Sequence, residues 1–202
     1  MYIISNNCVG SFIYKIKKVP FNIPTTWARS SYKTIKEIYN KLKNNEEIKL
    51  DSVELIKSTY NNDIYVLAKF NEFDIHYSHY LYKNEPLHSF ETEDTRGDIV
   101  GNTILDYAKT HIENRLKRDK GKDKPIFILD CSHQNPNVLN ITAEDIDDYM
   151  NWNDNNIIQV LVTKSIRRYN RYKNNNKNVI VIFAKKGSPR YIANLVMQEL
   201  NL

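Results

Sequence analysis

Glycine is scarce in this chain, at five in 202 residues, and cysteine scarcer still, at two. Two cysteines, Cys8 and Cys131, cannot build the disulfide framework of a small secreted domain, and no Cys-x-x-Cys pair points to zinc. No run approaches the roughly 18 apolar residues that a membrane helix needs. The opening MYIISNNC has neither the basic n-region nor the apolar h-region of a signal peptide, so a soluble, cytoplasmic protein is expected. There is no internal repeat and no convincing linker. What is present is globular composition: 41% hydrophobic, 26% charged, and 29 Lys plus Arg against 24 Asp plus Glu, a net charge of +5. A chain of this length buries a sizeable core, and residues 1–202 read as one domain. The abundance of Asn, Lys and Ile follows most simply from AT-rich codons.

Periodicity orders the elements. Tyr2 to Ser5 is a short β-rich run, and apolar residues at 9, 12, 13 and 16 then share one helical face. Pro20 and Pro24 break the next stretch, before a helix over about 31–43. Two strands around Asn61-Asn62-Asp63, at 53–56 and 64–68, read as a hairpin. An aromatic, His-containing stretch, FDIHYSHYLY, and a polar loop at 91–98 precede a helix over about 100–118. Strands at 125–129, 157–162 and 179–183 alternate with helical patterns, one capped by Thr142 and one running from Pro189 to Leu200. Short apolar runs alternating with helices predict a parallel sheet in three layers, helices on both faces, with a β-hairpin insertion: an α/β fold.

In such sheets ligands bind beyond the carboxyl ends of the strands. Those ends deliver Asn6-Asn7-Cys8, then Asp130-Cys131-Ser132-His133, then Thr163-Lys164-Ser165 and Lys185-Lys186. Cys8 lies where a strand hands over to a helix, and a helix N-terminus lowers a thiol pKa and favours thiolate. The same N–H groups, with Gly10 allowing close approach and an Asn6 or Asn7 amide beside them, would stabilise an oxyanion. A lone cysteine is also often a small buried hydrophobe. A thiolate nucleophile requires a base. His111 and His88 read as structural or solvent-facing, which leaves His76, His79 and His133. Spaced by three, His76 and His79 cannot share a face of a regular strand, and no carboxylate or cysteine set completes a metal site around them.

The opening Ile4-Ser5-Asn6-Asn7-Cys8-Val9-Gly10 through Tyr14, followed by Pro20-Phe21-Asn22-Ile23-Pro24-Thr25, resembles the start of an uncharacterised family found in exopolysaccharide biosynthesis loci. Ile75-His76-Tyr77-Ser78-His79-Tyr80 is similar to that family's "IHF-x-HY" segment, and Glu113 to Arg118 to its Arg-rich helix. The chain departs from the pattern at Val9, where an aromatic is usual, and at Ser11, where a second Gly is usual. A sister family described as papain-like cysteine peptidases shares the "SNC" start, a Trp near Trp27 and a His motif near His79. Capsule acetyltransferases that bind coenzyme A place a similar cysteine after the first strand of an SGNH-hydrolase-like fold. The resemblance implies a Cys8 nucleophile with His79 as its partner.

Three functions follow. The first is acyl transfer from acyl-CoA through Cys8 to a sugar, amino sugar or nucleotide sugar, with Asp130 orienting the base. Lys164, Arg167 and the other cations of the stretch from Lys164 to Arg190, which holds nine Lys and Arg and no Asp or Glu, would take the coenzyme phosphates. The same run is also readable as a solvated face balancing the acidic stretch 144–154. The second is a cysteine peptidase or amidase. The third is nucleic-acid binding, with Tyr169 and Tyr172 stacking among the arginines.

Overall fold

A computed structural model describes residues 2–19, 25, 29–57, 64–70, 73–77, 81–82, 85–86, 102–117, 124–132, 141–152, 154–173 and 178–202. Four parallel strands form the main sheet: β1 (Ile3–Ser5), β7 (Ile126–Asp130), β8 (Ile158–Thr163) and β9 (Val179–Phe183), in the order β1-β7-β8-β9. Successive side chains of a strand point to opposite faces, and here both faces are covered, which is why these strands read as unbroken apolar runs. Ile126 and Ile128 pack with Ile3, Val160 and Val162 against α1 (Val9–Lys17) and α6 (Pro189–Glu199). Phe127 and Leu129 pack on the other side, against α2 (Tyr32–Lys43) and α4 (Ala143–Asn151). The short α5 (Ile166–Tyr172) contributes Tyr172 to that same core. The three-layer α/β arrangement expected from the sequence is present.

Local chemistry places the helix starts. Ser31 caps α2 by accepting from the Thr34 N–H at 3.1 Å. Thr142 and Asp145 close a reciprocal capping box on α4. Ser188 caps α6, and Pro189 supplies its first turn without wasting an N–H. Tyr14 of α1 sends its hydroxyl to the edge of the sheet, where it accepts from the Ile3 N–H at 2.9 Å. Tyr149 of α4 is fully buried; its hydroxyl donates to the Phe127 carbonyl at 2.7 Å and accepts from the Val160 N–H at 2.9 Å.

The insertion is larger than a hairpin. β2 (Leu50–Lys57), β3 (Ile64–Phe70) and β4 (Phe73–Tyr77) form a three-stranded antiparallel sheet. The extra strand comes from the aromatic, His-containing stretch. Phe73 and Ile75 are buried while Asp74 is exposed, a period-two pattern that the density of aromatics masks in the sequence. β5 (Leu81–Tyr82) and β6 (Glu85–Pro86) add a two-stranded ribbon. α2 serves both cores: Ile35 and Tyr39 meet the parallel sheet, whereas Ile38 packs with Phe70, Phe73 and Ile75 and with Ala108 and Ile112 of α3 (Asn102–Lys117). The proposed turn at Asn61 to Asp63, the loop at 91–98 and most of the proline segment lie outside the described residues.

Candidate active site at the strand ends

β7 runs two residues beyond the last partner of β1, since Ser5 pairs with Ile128 and the strand continues to Asp130. A side chain fills the gap. The Asn6 carboxamide accepts from the Asp130 N–H at 2.8 Å and donates to the Asp130 carbonyl at 3.1 Å, so an amide side chain carries on the ladder after the backbone has turned away. Asn7 then donates to one Asp130 carboxylate oxygen at 2.6 Å, while the Ser132 N–H donates to the other at 2.8 Å. Asn6, Asn7 and Asp130 are all buried, and polar groups so placed are stable only when paired.

Above this network sits Cys8, the N-cap of α1. The first-turn donors of the helix are already engaged: the Val9 N–H donates to Asn7 Oδ1 at 3.0 Å and the Gly10 N–H to Ser5 Oγ at 3.2 Å. The Ser5 hydroxyl in turn donates to the Asn7 carbonyl at 2.7 Å. This corrects three expectations. The Val9 and Gly10 amides satisfy the protein's own oxygens rather than awaiting an oxyanion. The Asn6 and Asn7 amides hold Asp130 rather than projecting towards a ligand. Gly10 is needed for close packing onto β1, because a Cβ there would lie 2.7 Å from Ser5 Oγ and 3.1 Å from Ile3 Cγ2.

The thiol itself also departs from the sequence reading. Cys8 is 4% exposed, and burial pushes its pKa up to about 11, with the Arg29 guanidinium pulling the other way. Removing a charge from water outweighs what the helix terminus offers. Cys131 behaves alike: burial and the neighbouring Asp130 raise it to about 12, against the opposing charge of Arg168. Neither cysteine is in a disulfide.

Two residues not singled out in the sequence tie the second sheet to this site. The Arg29 N–H donates to the His76 carbonyl at 2.7 Å, and the His76 N–H donates back to the Arg29 carbonyl at 3.1 Å. The next residue, Ser30, donates its N–H to the Asn6 carbonyl at 2.9 Å. A two-residue strap thus pins the His-bearing strand β4 to the end of β1. No local pattern marks Arg29 or Ser30, since their role is pairing across distant segments. The His76 imidazole is half-buried, and burial lowers its pKa despite the opposing charge of Asp74. Ser30 and Ser132, both buried, carry side-chain hydroxyls with no hydrogen-bond partner among the described residues.

Lys164 and Arg167 are exposed at the end of β8, on the same edge as Cys8 but two strands away. At about 4.8 Å per strand that separation is roughly 10 Å. Tyr172 is buried with its hydroxyl bonded to Asp147, and the half-buried Tyr169 ring contacts Phe183 and Lys173, so both rings are engaged within the protein. Trp27, His79, His88 and His133 lie outside the described residues. Among the described residues no group of His, Cys, Asp and Glu is arranged to hold a metal ion, and no helix is long and apolar enough to cross a membrane.

Residues 1–118 match the model of one protein family, described as Domain of unknown function (DUF1919). The match covers more than half of the 202 residues, so the chain belongs to that family. It takes in Cys8, Arg29, Ser30 and His76, and it ends before Asp130 and the basic edge. No curated protein matches the chain.

Proposed function

We propose that this DUF1919 protein is a cysteine-dependent acyltransferase that moves an acyl group from acyl-CoA to a hydroxyl or amine of a sugar, in the cytoplasmic assembly of a glycan. The observation that carries this reading is the placement of Cys8. It stands at the carboxyl end of the first strand of a parallel sheet, over the Asn7–Asp130 pair and within the field of Arg29. A papain-like arrangement would set the cysteine at the head of a long helix facing an antiparallel sheet. Here Cys8 follows a parallel strand, and α1 spans nine residues.

The chemistry runs in two steps. A base takes the Cys8 proton, and Sγ attacks the thioester carbonyl; the new carbon–sulfur bond replaces the one to coenzyme A, whose thiolate leaves and takes up the proton. The acceptor then attacks acyl-Cys8, gives its proton to the base and regenerates the thiolate. The base is His76, on the strand that Arg29 pins to β1, or His79. Lys164 and Arg167, two strands along the same edge, are the cations we assign to the coenzyme phosphates.

Intact mass spectrometry after incubation with acetyl-CoA tests the reading. The expected result is one acetyl group on the wild type, on Cys8 by peptide mapping, and none on Cys8→Ala. If the wild type takes up no acetyl group, the transferase reading fails. Acetylation followed only by release of acetate, whatever sugar is added, would make the protein a thiol hydrolase instead.

A further inference from the structure

The lysines and arginines of this molecule are not all treated alike. Some find carboxylates: Lys36 meets Asp148 at 2.7 Å, Lys43 meets Asp154 at 2.8 Å and Lys69 meets Glu54 at 2.8 Å. Others, such as Lys33, Lys49 and Lys109, are exposed on separate elements without an ion pair among the described residues. Lys164, Arg167, Lys185, Lys186 and Arg190 are all exposed, and none has an ion-pair partner among the described residues. The fold brings them together. Thr163 pairs with Phe183 in neighbouring parallel strands, and the Ala184 N–H donates to the Thr163 carbonyl at 2.9 Å. The chain segments carrying Lys164 and Lys185 therefore leave the sheet side by side, about 5 Å apart. Arg167 and Arg190 lie in the first turns of the helices that follow. Like charges so gathered repel one another, and an anionic partner relieves that repulsion.

One apolar side chain interrupts the cations. Ile166, between Ser165 and Arg167, is 52% exposed, the most exposed of the large hydrophobic residues described. A nucleotide or another soluble polyanion satisfies the cations but offers nothing to an aliphatic side chain in water. A lipid surface satisfies both, since headgroup phosphates take the charges and the acyl boundary takes Ile166. We propose that the edge formed by Ile166, Lys185, Lys186 and Arg190 docks on an anionic membrane surface. Docked by this edge, the end of β1 stands three strand spacings, about 15 Å, from β9 along the lipid surface. The docking does not depend on the chemistry proposed for Cys8.

Vesicle co-flotation of the full chain tests it, with phosphatidylcholine vesicles against vesicles containing one-third phosphatidylglycerol. The wild type is expected on the anionic vesicles at low salt, off them at high salt, and absent from the neutral ones. The triple variant Lys185→Ala, Lys186→Ala, Arg190→Ala should bind on the order of 100-fold more weakly, given the contribution of each cation near such a surface. Ile166→Ala should weaken binding several-fold more than it weakens binding to a single-stranded oligonucleotide. All four positions are exposed, so melting temperatures should match the wild type. Cys8→Ala should bind vesicles normally, which separates this result from the fate of the transferase reading. Equal binding to neutral vesicles, undiminished binding by the triple variant, or capture of the oligonucleotide but not of vesicles would each overturn the proposal.

Discussion

Asn7 and Asp130 stand 123 positions apart in sequence, yet the Asn7 amide donates to the Asp130 carboxylate at 2.6 Å. The bond is buried and joins two strand ends at the candidate site. Its removal is measurable by a double-mutant cycle in denaturant. Asn7→Ala and Asp130→Ala should each destabilise the protein, and the coupling between them should be about 1.5–3 kcal/mol, as for a hydrogen bond to a charged group. Additive losses would show that the two side chains act separately.

Gly10 is a matter of space. Gly10→Ala places a methyl group 2.7 Å from Ser5 Oγ, and that oxygen is fixed by its bonds to the Asn7 carbonyl and the Gly10 N–H. The substitution should cost about 1–3 kcal/mol. Combining it with Ser5→Ala should recover part of that loss, measured as the midpoint of urea unfolding. A larger loss in the double variant would contradict the packing account.

The Cys8 thiol, raised to about 11 by burial, titrates far above an ordinary cysteine. At pH 8 about one molecule in a thousand would carry the thiolate, against roughly a quarter for an unperturbed thiol. Alkylation of Cys8 by iodoacetamide should therefore be slow at pH 8 and climb tenfold per pH unit up to about pH 11. A plateau below pH 8 would show an activated thiolate in the unliganded protein. Linkage has the matching sign. Both cysteines have folded pKa values above their unfolded ones, so their contribution to stability is complete below about pH 8.5 and fades as pH rises towards 11–12.

Tyr149→Phe removes the hydroxyl that accepts from the Val160 N–H and donates to the Phe127 carbonyl. The ring fills the same space, so the loss is almost wholly one of hydrogen bonding. About 2–3 kcal/mol is expected, because buried backbone groups of both β7 and β8 lose a partner. Hydrogen exchange should report it most sharply at the Val160 amide. Unchanged protection there would show that the amide has another partner.

The layers and most of the elements were legible along the chain. Unbroken apolar runs such as Ile126 to Leu129 belong to strands covered on both faces, and Thr142 announced its helix by capping chemistry that acts within three residues. The strand ends could be enumerated for the same reason, which put Cys8, Asp130 and Lys164 on one edge before any contact was known. β4 was less legible, because its alternation is carried by aromatic and His side chains whose polarity is ambiguous.

What the sequence determined by itself was therefore whatever depends on neighbours a few residues away: the elements, their amphipathic faces and the position of a thiol at a strand-to-helix junction. Only the tertiary structure decided how that thiol behaves. Its pKa follows from how deeply it is covered and from the charge of Arg29, 21 positions later. The helix-start amides are occupied because Ser5 and Asn7 fold back onto them, and Asn6 and Asn7 face inward because β7 outruns β1 by two residues. Burial and long-range pairing depend on which distant segments come to lie alongside, and no local pattern of side chains encodes that.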